Sequence, residues 1–372
     1  MKRKKVIISG VNMVDSGILS IYLEMVKAFS KKENINVICL VNNKGLLKNV
    51  CGNNIKLLEF KDVKKSWFKR LYFEFITSYF INKKSKSDLW ICLHDITANI
   101  GKGKQYVYCH NPSPFYKAST SDFKLDKKFY LFTKFYKYLY QVNIKKNKAV
   151  IVQQSWIANS FKEWFGIDNV IVSKPEGGKD DIQDIHERKN IDGPFKLIYP
   201  AYPRVFKNIE LLIDALFYLK NNLKSYYDKI EITLTFNHGT SLYGDAMLKK
   251  AKELSIDNIK FVGFLDRDSI YKMYKSETDG LIFPSKLETW GLPISEAKMF
   301  GLPILVASFE YAKETVGEYK NAFFFDNNVD SLVNALVLFI DGNIDYPIKE
   351  KPKSNWQQFS TYDELISFMI DS

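Results

Sequence analysis

The chain has 372 residues, with 54 Lys and Arg against 42 Asp and Glu, and is 46% hydrophobic and 15% aromatic. That length fits two domains, the apolar content excludes wholesale disorder, and no run approaches the ~18 consecutive apolar residues of a membrane span. Residues 1–190 hold 34 Lys+Arg and 17 Asp+Glu, whereas residues 191–372 hold 20 and 25. General affinity for polyanions does not predict such a split; a two-domain protein with one basic face on an anionic surface does.

Read in chain order, short apolar strands alternate with amphipathic helices, the pattern of α/β layers with parallel sheets. The opening MKRKKVIISG has the basic end of a signal peptide, but its apolar run stops at Ser9-Gly10 and Asn12 and Asp15 follow, so it reads as a first strand over 4–10. Ser16-Gly17 falls in the loop before a helix from Ile18 to Phe29; without a full G-x-G-x-x-G it is equally a plain turn and a point of phosphate approach. Further strands are expected over 35–41, 88–94, 105–110 and 148–154. His110 ends the fourth of these five, and Pro112 and Pro114 turn the chain outward. Cys39, Cys92 and Cys109 lie in apolar runs and Cys51 stands apart, with no C-x-x-C pair, so reduced thiols and a reducing cytoplasm are expected rather than disulfides. The basic excess concentrates in 67–86 and 126–148, where Lys and Arg interleave with Phe, Tyr and Trp. Such segments suit a lipid interface, or else place aromatics in the core and lysines in water. No RNP-like or OB strand pattern supports nucleic acid.

GGKDDIQDIHERKNIDG (177–193) is the best linker candidate. A second strand series follows over 195–202, 229–236, 258–264, 280–285, 303–308 and 321–325, with helices at 208–223 and 269–277. Arg204 and Lys207 fall between the first of these strands and its helix, where two cations can neutralise a diphosphate. In FPSKLETWGLPISEAKMFGLPILVAS (283–308), a strand runs into a loop holding Glu288 and Gly291, Pro293 suits a first helical turn, and Gly301 and Pro303 stop the helix. The result is a two-turn helix whose N-terminus opens at a strand's carboxyl end, a position suited to phosphate, with Glu296 about one turn inside. Asp266-Arg-Asp268 has D-x-D spacing but precedes a helix, where Asp268 serves as N-cap or first-turn acid. His94, His110, His186 and His238 are dispersed, so no metal site is expected. STYDELISFMIDS reads as a last helix capped by Ser360 or Thr361.

The segment from Glu288 through Gly291, Leu292, Glu296, Ala297, Gly301 and Pro303 resembles the signature of the retaining glycosyltransferases of family 4, which have two glutamates eight positions apart. The resemblance implies a GT-B fold, two doubly wound Rossmann-like domains facing across a cleft. It places an acceptor-binding domain at 1–185, a nucleotide-sugar-binding domain at 186–354, and a final helix within 355–372 crossing back onto the first. By resemblance Glu288 contacts the donor sugar, Glu296 the ribose, and amides around Gly291–Leu292 the sugar and diphosphate. Arg204 and Lys207 bind the diphosphate, although Pro203-Arg204 replaces the usual Gly-Arg. His110 stands beside the transferred sugar, and Gly17 lies near the donor. Nucleobase contacts are expected near Phe261–Leu265.

The implied reaction is sugar transfer from a UDP- or GDP-sugar to a hydroxyl with anomeric configuration retained, without a metal or other cofactor. The catalytic set is His110, Glu288, Arg204 and Lys207. The aromatic-basic segments add a glycan or lipid-linked acceptor and a place on the inner face of the cytoplasmic membrane, as in bacterial surface-polysaccharide assembly. A nucleotide-sugar epimerase of the same fold and a silent membrane scaffold are the alternatives.

Overall fold

Short runs of Val, Ile, Leu and Phe form parallel strands here because helices cover both faces of each sheet, leaving no polar side to alternate with. The computed structural model describes residues 3–14, 16–50, 52–175, 193–343 and 354–372. In chain order these form β1 (Lys4–Gly10), α1 (Ser16–Ser30), β2 (Ile35–Val41), β3 (Ile55–Glu59), α2 (Trp67–Tyr72), a π-helical turn (Phe73–Thr77), α3 (Ser78–Ser85), β4 (Leu89–Cys92) and β5 (Lys104–Tyr108). They continue through α4 (Thr120–Leu125), α5 (Lys127–Gln141), β6 (Ala149–Val152), α6 (Ser155–Phe165) and β7 (Val170–Ser173). The second series is β8 (Phe195–Tyr199), α7 (Ile209–Asn222), α8 (Lys224–Tyr227), β9 (Ile230–Leu234), α9 (Leu242–Glu253), β10 (Ile259–Phe261), α10 (Arg267–Ser276) and β11 (Gly280–Phe283). It ends with α11 (Leu292–Met299), β12 (Ile304–Ala307), α12 (Glu310–Val316), β13 (Ala322–Phe325), α13 (Val329–Ile340), β14 (Gln357–Phe359) and α14 (Tyr362–Asp371).

The chain divides into two units, one of Met1–Asn111, Phe135–Glu176 and Ser354–Ser372, the other of Pro112–Lys134 and Gly177–Lys353. The first unit carries an eight-stranded sheet ordered β14-β7-β6-β5-β4-β1-β2-β3, with every pairing parallel. Its strand order reverses between β1 and β4. The core joins Tyr22, Met25 and Phe29 of α1 to Tyr362, Leu365, Ile366 and Met369 of α14. Thr361 caps α14 in a reciprocal capping box with Glu364. The second unit has a six-stranded sheet ordered β10-β9-β8-β11-β12-β13, again all parallel, with its reversal between β8 and β11. In doubly wound sheets, ligands sit outside the carboxyl ends of the strands at such reversals.

Several boundaries differ from the sequence reading. Helix α1 opens at Ser16, so Gly17 stands in its first turn rather than in the preceding loop; the helix begins two residues ahead of Ile18, its first residue packed on the core. Strand β5 ends at Tyr108, two residues before His110. The amides of His110 and Asn111 donate to Asp95 Oδ1, at 2.6 and 3.1 Å, instead of continuing the ladder. Asp266, not Asp268, caps α10, its side chain accepting from the Ser269 amide, and Asp268 is the first-turn acid. Strand β10 stops at Phe261, since Gly263 takes φ +81° and turns the chain. Cys39, Cys92 and Cys109 are free, buried thiols. Cys51, Asp15, His186 and all of the expected linker but Gly193 lie outside the described residues.

Candidate functional site

The second unit's reversal point is bounded by the loops after β8 and β11, and these loops carry Arg204, Lys207, Glu288 and Gly291. They are tied together by backbone. The Lys286 amide donates to Phe206 O at 2.8 Å. Asn208, in the left-handed region at φ +59°, donates from Nδ2 to Pro284 O at 3.1 Å and to Asn327 Oδ1 at 2.7 Å. Lys207 ends a 3-10 turn (Val205–Lys207), and its carbonyl accepts from the Tyr199 hydroxyl at 3.1 Å.

So held, Lys207 Nζ meets Glu288 Oε1 at 2.5 Å, and the two side chains are only 14% and 16% exposed. The ammonium also faces the rings of Phe206 and Phe283, 5.5 and 5.7 Å from their centroids. Screening by water is weak at such burial, so this pair interacts more strongly than a surface one. Arg204 Nη1 reaches Asp126 Oδ2 at 3.1 Å. Asp126 was not legible as a partner, being 78 residues away in the chain.

Gly291 caps α11 at φ +84°. A Cβ there would also come within 3.2 Å of Ile294 Cδ1, a tight contact that adds to the positive φ favouring glycine. The turn is fixed by Trp290 Nε1 donating to Ser295 Oγ at 2.8 Å. Leu292 and Pro293 then begin the helix with its first amides directed out of the N-terminus. One turn on, Glu296 is 13% exposed, with Arg267 Nε 3.4 Å from Oε1 and the Tyr271 hydroxyl 3.5 Å from it. Burial raises the Glu296 pKa, and the Arg267 charge offsets part of that rise. Arg267 was also missed; its position at the start of a helix one turn before Tyr271 was the available signal. Arg204, Lys207, Glu288, Gly291, Leu292 and Glu296 are thus brought to one end of the second sheet.

His110 and Gly17 belong to the first unit. The buried His110 ring stacks on Tyr108 with centroids 4.2 Å apart. Neither ring nitrogen has a hydrogen-bond partner among the described residues, and burial lowers the pKa, keeping the imidazole neutral at neutral pH. Asp95 organises this corner. Besides the two amides, its Oδ2 accepts from the Tyr136 hydroxyl at 2.7 Å. Beneath it, Ser9 Oγ lies 3.0 Å from His94 Nε2, His94 Nδ1 lies 3.2 Å from Glu74 Oε1, and Arg70 Nη2 donates to His94 O at 2.6 Å. Burial pushes Glu74 up to about 8 and His94 down to about 3, so both are held neutral near pH 7. No group of three or more His, Cys, Asp or Glu placed to hold a metal occurs among the described residues.

Known proteins resemble this chain in sequence family and in fold. The family described as Glycosyl transferases group 1 matches residues 181–358. An uncharacterized 41.2 kDa protein in the cps region of Klebsiella pneumoniae is 22% identical over 214 residues, covering 56% of this chain. The chain spans about half of that relative's length, 53%. Among solved structures, the lipopolysaccharide outer core galactosyltransferase WaaB in its apo form aligns over 99% of both chains, with TM-score 0.62 and 14% identity. Anabaena Alr3699/HepE in complex with UDP-glucose aligns over 91% of this chain and 90% of its own, with TM-score 0.60 and 14% identity. At that identity the structural likeness is one of fold, GT-B. The matched residues 181–358 include both loops at the second reversal point, so this part of the chain is similar to the glycosyl transferases group 1 family.

Proposed function

We propose that the protein transfers a hexose-type sugar from a nucleotide diphosphate sugar to a hydroxyl of a lipid-linked glycan, with retention, in bacterial surface-polysaccharide assembly. The observation that carries this is the Lys207–Glu288 pair with Arg204 and the α11 N-terminus, which brings two cations and free helix amides to the reversal of the second sheet. Domain 186–354 binds the donor and domain 1–185 the acceptor. The relative from a cps region and the WaaB likeness support the polysaccharide setting, and the HepE complex supports a nucleotide-sugar donor.

In this reading the bond from the anomeric carbon to the diphosphate oxygen breaks while the acceptor oxygen bonds on the same face. The acceptor's proton passes to the departing diphosphate. Negative charge grows on that diphosphate, and Lys207, Arg204 and the α11 amides stabilise it without a metal. Glu288 holds the sugar and Glu296 the ribose, amides at Gly291–Leu292 complete the contacts, and the loop around the exposed Phe264 meets the base. Gly17 lies near the donor. His110, neutral and with both ring nitrogens unengaged, stands beside the transferred sugar.

The acceptor's lipid places the enzyme on the inner face of the cytoplasmic membrane. Exposed Phe68 and Phe80 in segment 67–86, and Phe135 and Tyr138 in segment 126–148, support this. No helix among the described residues is long and apolar enough to cross a membrane.

The test offers α-linked UDP-, GDP- and TDP-sugars with lipid-linked acceptors and reads the product's anomeric configuration by NMR. An α-linked product is expected. An inverted linkage, or neither transfer nor donor hydrolysis with any sugar, would overturn the proposal.

A further inference from the structure

The element α2–π turn–α3 is inside out. Arg70, Glu74, Ser78 and Asn82, spaced by four, are buried. Phe68, Tyr72, Ile76 and Phe80, also spaced by four, are exposed, Phe68 by 80% and Phe80 by 61%. In a regular α-helix a four-residue step overshoots one turn by about 40°, so two such stripes would spiral round the axis. The wider π turn at Phe73–Thr77 undershoots and offsets part of the drift, so each stripe keeps to one side of the element. Three of the four inner residues hydrogen-bond to the fold: Arg70 Nη2 donates to His94 O, Ser78 Oγ to Phe73 O, and Asn82 Nδ2 to Ile100 O and Lys102 O at 2.8 and 3.0 Å, while Glu74 Oε1 lies 3.2 Å from His94 Nδ1. The outer stripe turns large apolar groups away from the core, where water makes them costly.

Cations stand at both ends of this stripe. Lys65 and Lys69 lie at the start; Lys83, Lys84 and Lys86 lie at the finish, all exposed. At the finish there is also a cleft of about 720 Å³, lined by Tyr79, Asn82, Lys83, Lys86 and Lys102 and by Gly101 and Gly103. Its form is built rather than incidental. Asn82 ties down the 100–102 loop, and Gly101, at φ +72°, lies so close that a Cβ would come within 3.0 Å of the Tyr79 ring. Lys83, Lys86 and Lys102 have no carboxylate partner among the described residues, and the nearby Asp88 accepts from the Lys5 amide at 2.7 Å. Tyr79 also meets Phe80 edge-on, with centroids 5.5 Å apart, so the cationic cleft adjoins the apolar stripe.

We propose that the outward face of α2–π turn–α3 lies in the interface of an anionic bilayer, and that the Lys83–Lys86–Lys102 cleft seats a phosphate-bearing lipid headgroup. The apolar stripe supplies insertion and the lysines supply selection for anionic lipid. This rests on the membrane reading above and narrows it to one element and one headgroup chemistry.

Vesicle flotation of the full chain tests it, using phosphatidylcholine vesicles with and without phosphatidylglycerol. Wild type is expected to float with the anionic vesicles and to be released by salt. Each lysine near an anionic surface contributes about fivefold, so K83A/K86A/K102A is expected to bind roughly a hundredfold more weakly. F68S/F80S, altered only at exposed positions, is expected to lose binding to the same vesicles. Unchanged binding by either variant would overturn the proposal. So would equal binding of wild type to both vesicle types, or release of vesicle-bound protein by glycerol phosphate at vesicle-equivalent concentration, which would make the cleft a site for free phosphate. Sedimentation showing that F68S/F80S splits a dimer would assign the stripe to a second copy instead. Nucleotide binding, measured without vesicles on the same variants, stays at the wild-type level if only this proposal fails, and is absent from wild type if the donor reading fails.

Discussion

Lys207 Nζ and Glu288 Oε1 lie 2.5 Å apart at the reversal of the second sheet, so two residues assigned to the donor neutralise each other in the free protein. The pair keeps both charges compensated while mostly buried, and a donor diphosphate would give Lys207 a second anion to serve. Removing one partner leaves the other charge without compensation. Glu288→Ala is therefore expected to destabilise the fold by about 3 kcal/mol, and Lys207→Met/Glu288→Leu by clearly less. Urea unfolding of Glu288→Ala, and of Lys207→Met, Glu288→Leu and the double, measures this; additive losses would show that the pair is not energetically coupled.

Glu296 has its pKa raised by burial, with Arg267 opposing. The native state then holds its proton to higher pH than the unfolded chain, so this group's contribution falls as pH rises from the ordinary 4.5 through the raised native value. Glu296→Gln is expected to melt at higher temperature than wild type at neutral pH yet bind donor about tenfold more weakly. A variant that loses both stability and affinity would contradict this assignment of the carboxylate to ligand rather than fold.

Glu74 and His94 make a separate pH signature. Between pH 3 and 6.5 the unfolded chain binds more protons than the native at His94, so stability rises with pH. Between 4.5 and about 8 the native binds more at Glu74, so stability falls with pH. The two cancel from 4.5 to 6.5, leaving an acid arm from His94 and an alkaline arm from Glu74. Glu74→Gln removes the alkaline arm, and its stability relative to wild type is expected to grow as pH rises from 4.5 to 8. Chemical denaturation across that range checks it; parallel profiles would mean that Glu74 is already ionised in the native protein.

The second sheet's loops were legible because glycine and proline punctuate them. Gly291, Pro293, Gly301 and Pro303 delimit α11, and Arg204 and Lys207 stand between an apolar run and an amphipathic one. Short strands were harder. β3, β7 and β14 have 5, 4 and 3 residues and were not read, and β14 is identified by its pairing with β7 rather than by its composition. The partners that set the site's electrostatics were invisible for another reason. Asp126 meets Arg204, and Glu74 and Ser9 flank His94, across separations that no local spacing encodes. The inverted stripes of 67–86 were readable as a mixture of aromatics and lysines, but which side faced inward depended on the π turn.

The most direct test of the central claim is calorimetry of UDP, GDP and TDP against the protein, with and without EDTA, repeated on Lys207→Ala and on Arg204→Ala, whose side chain is more exposed. The account predicts that one diphosphate binds with a Kd on the order of micromolar, unaffected by EDTA, and that each variant weakens it about tenfold or more. Absence of binding by every nucleotide would contradict a donor site at the second reversal point, and binding abolished by EDTA would contradict its cations acting without a metal.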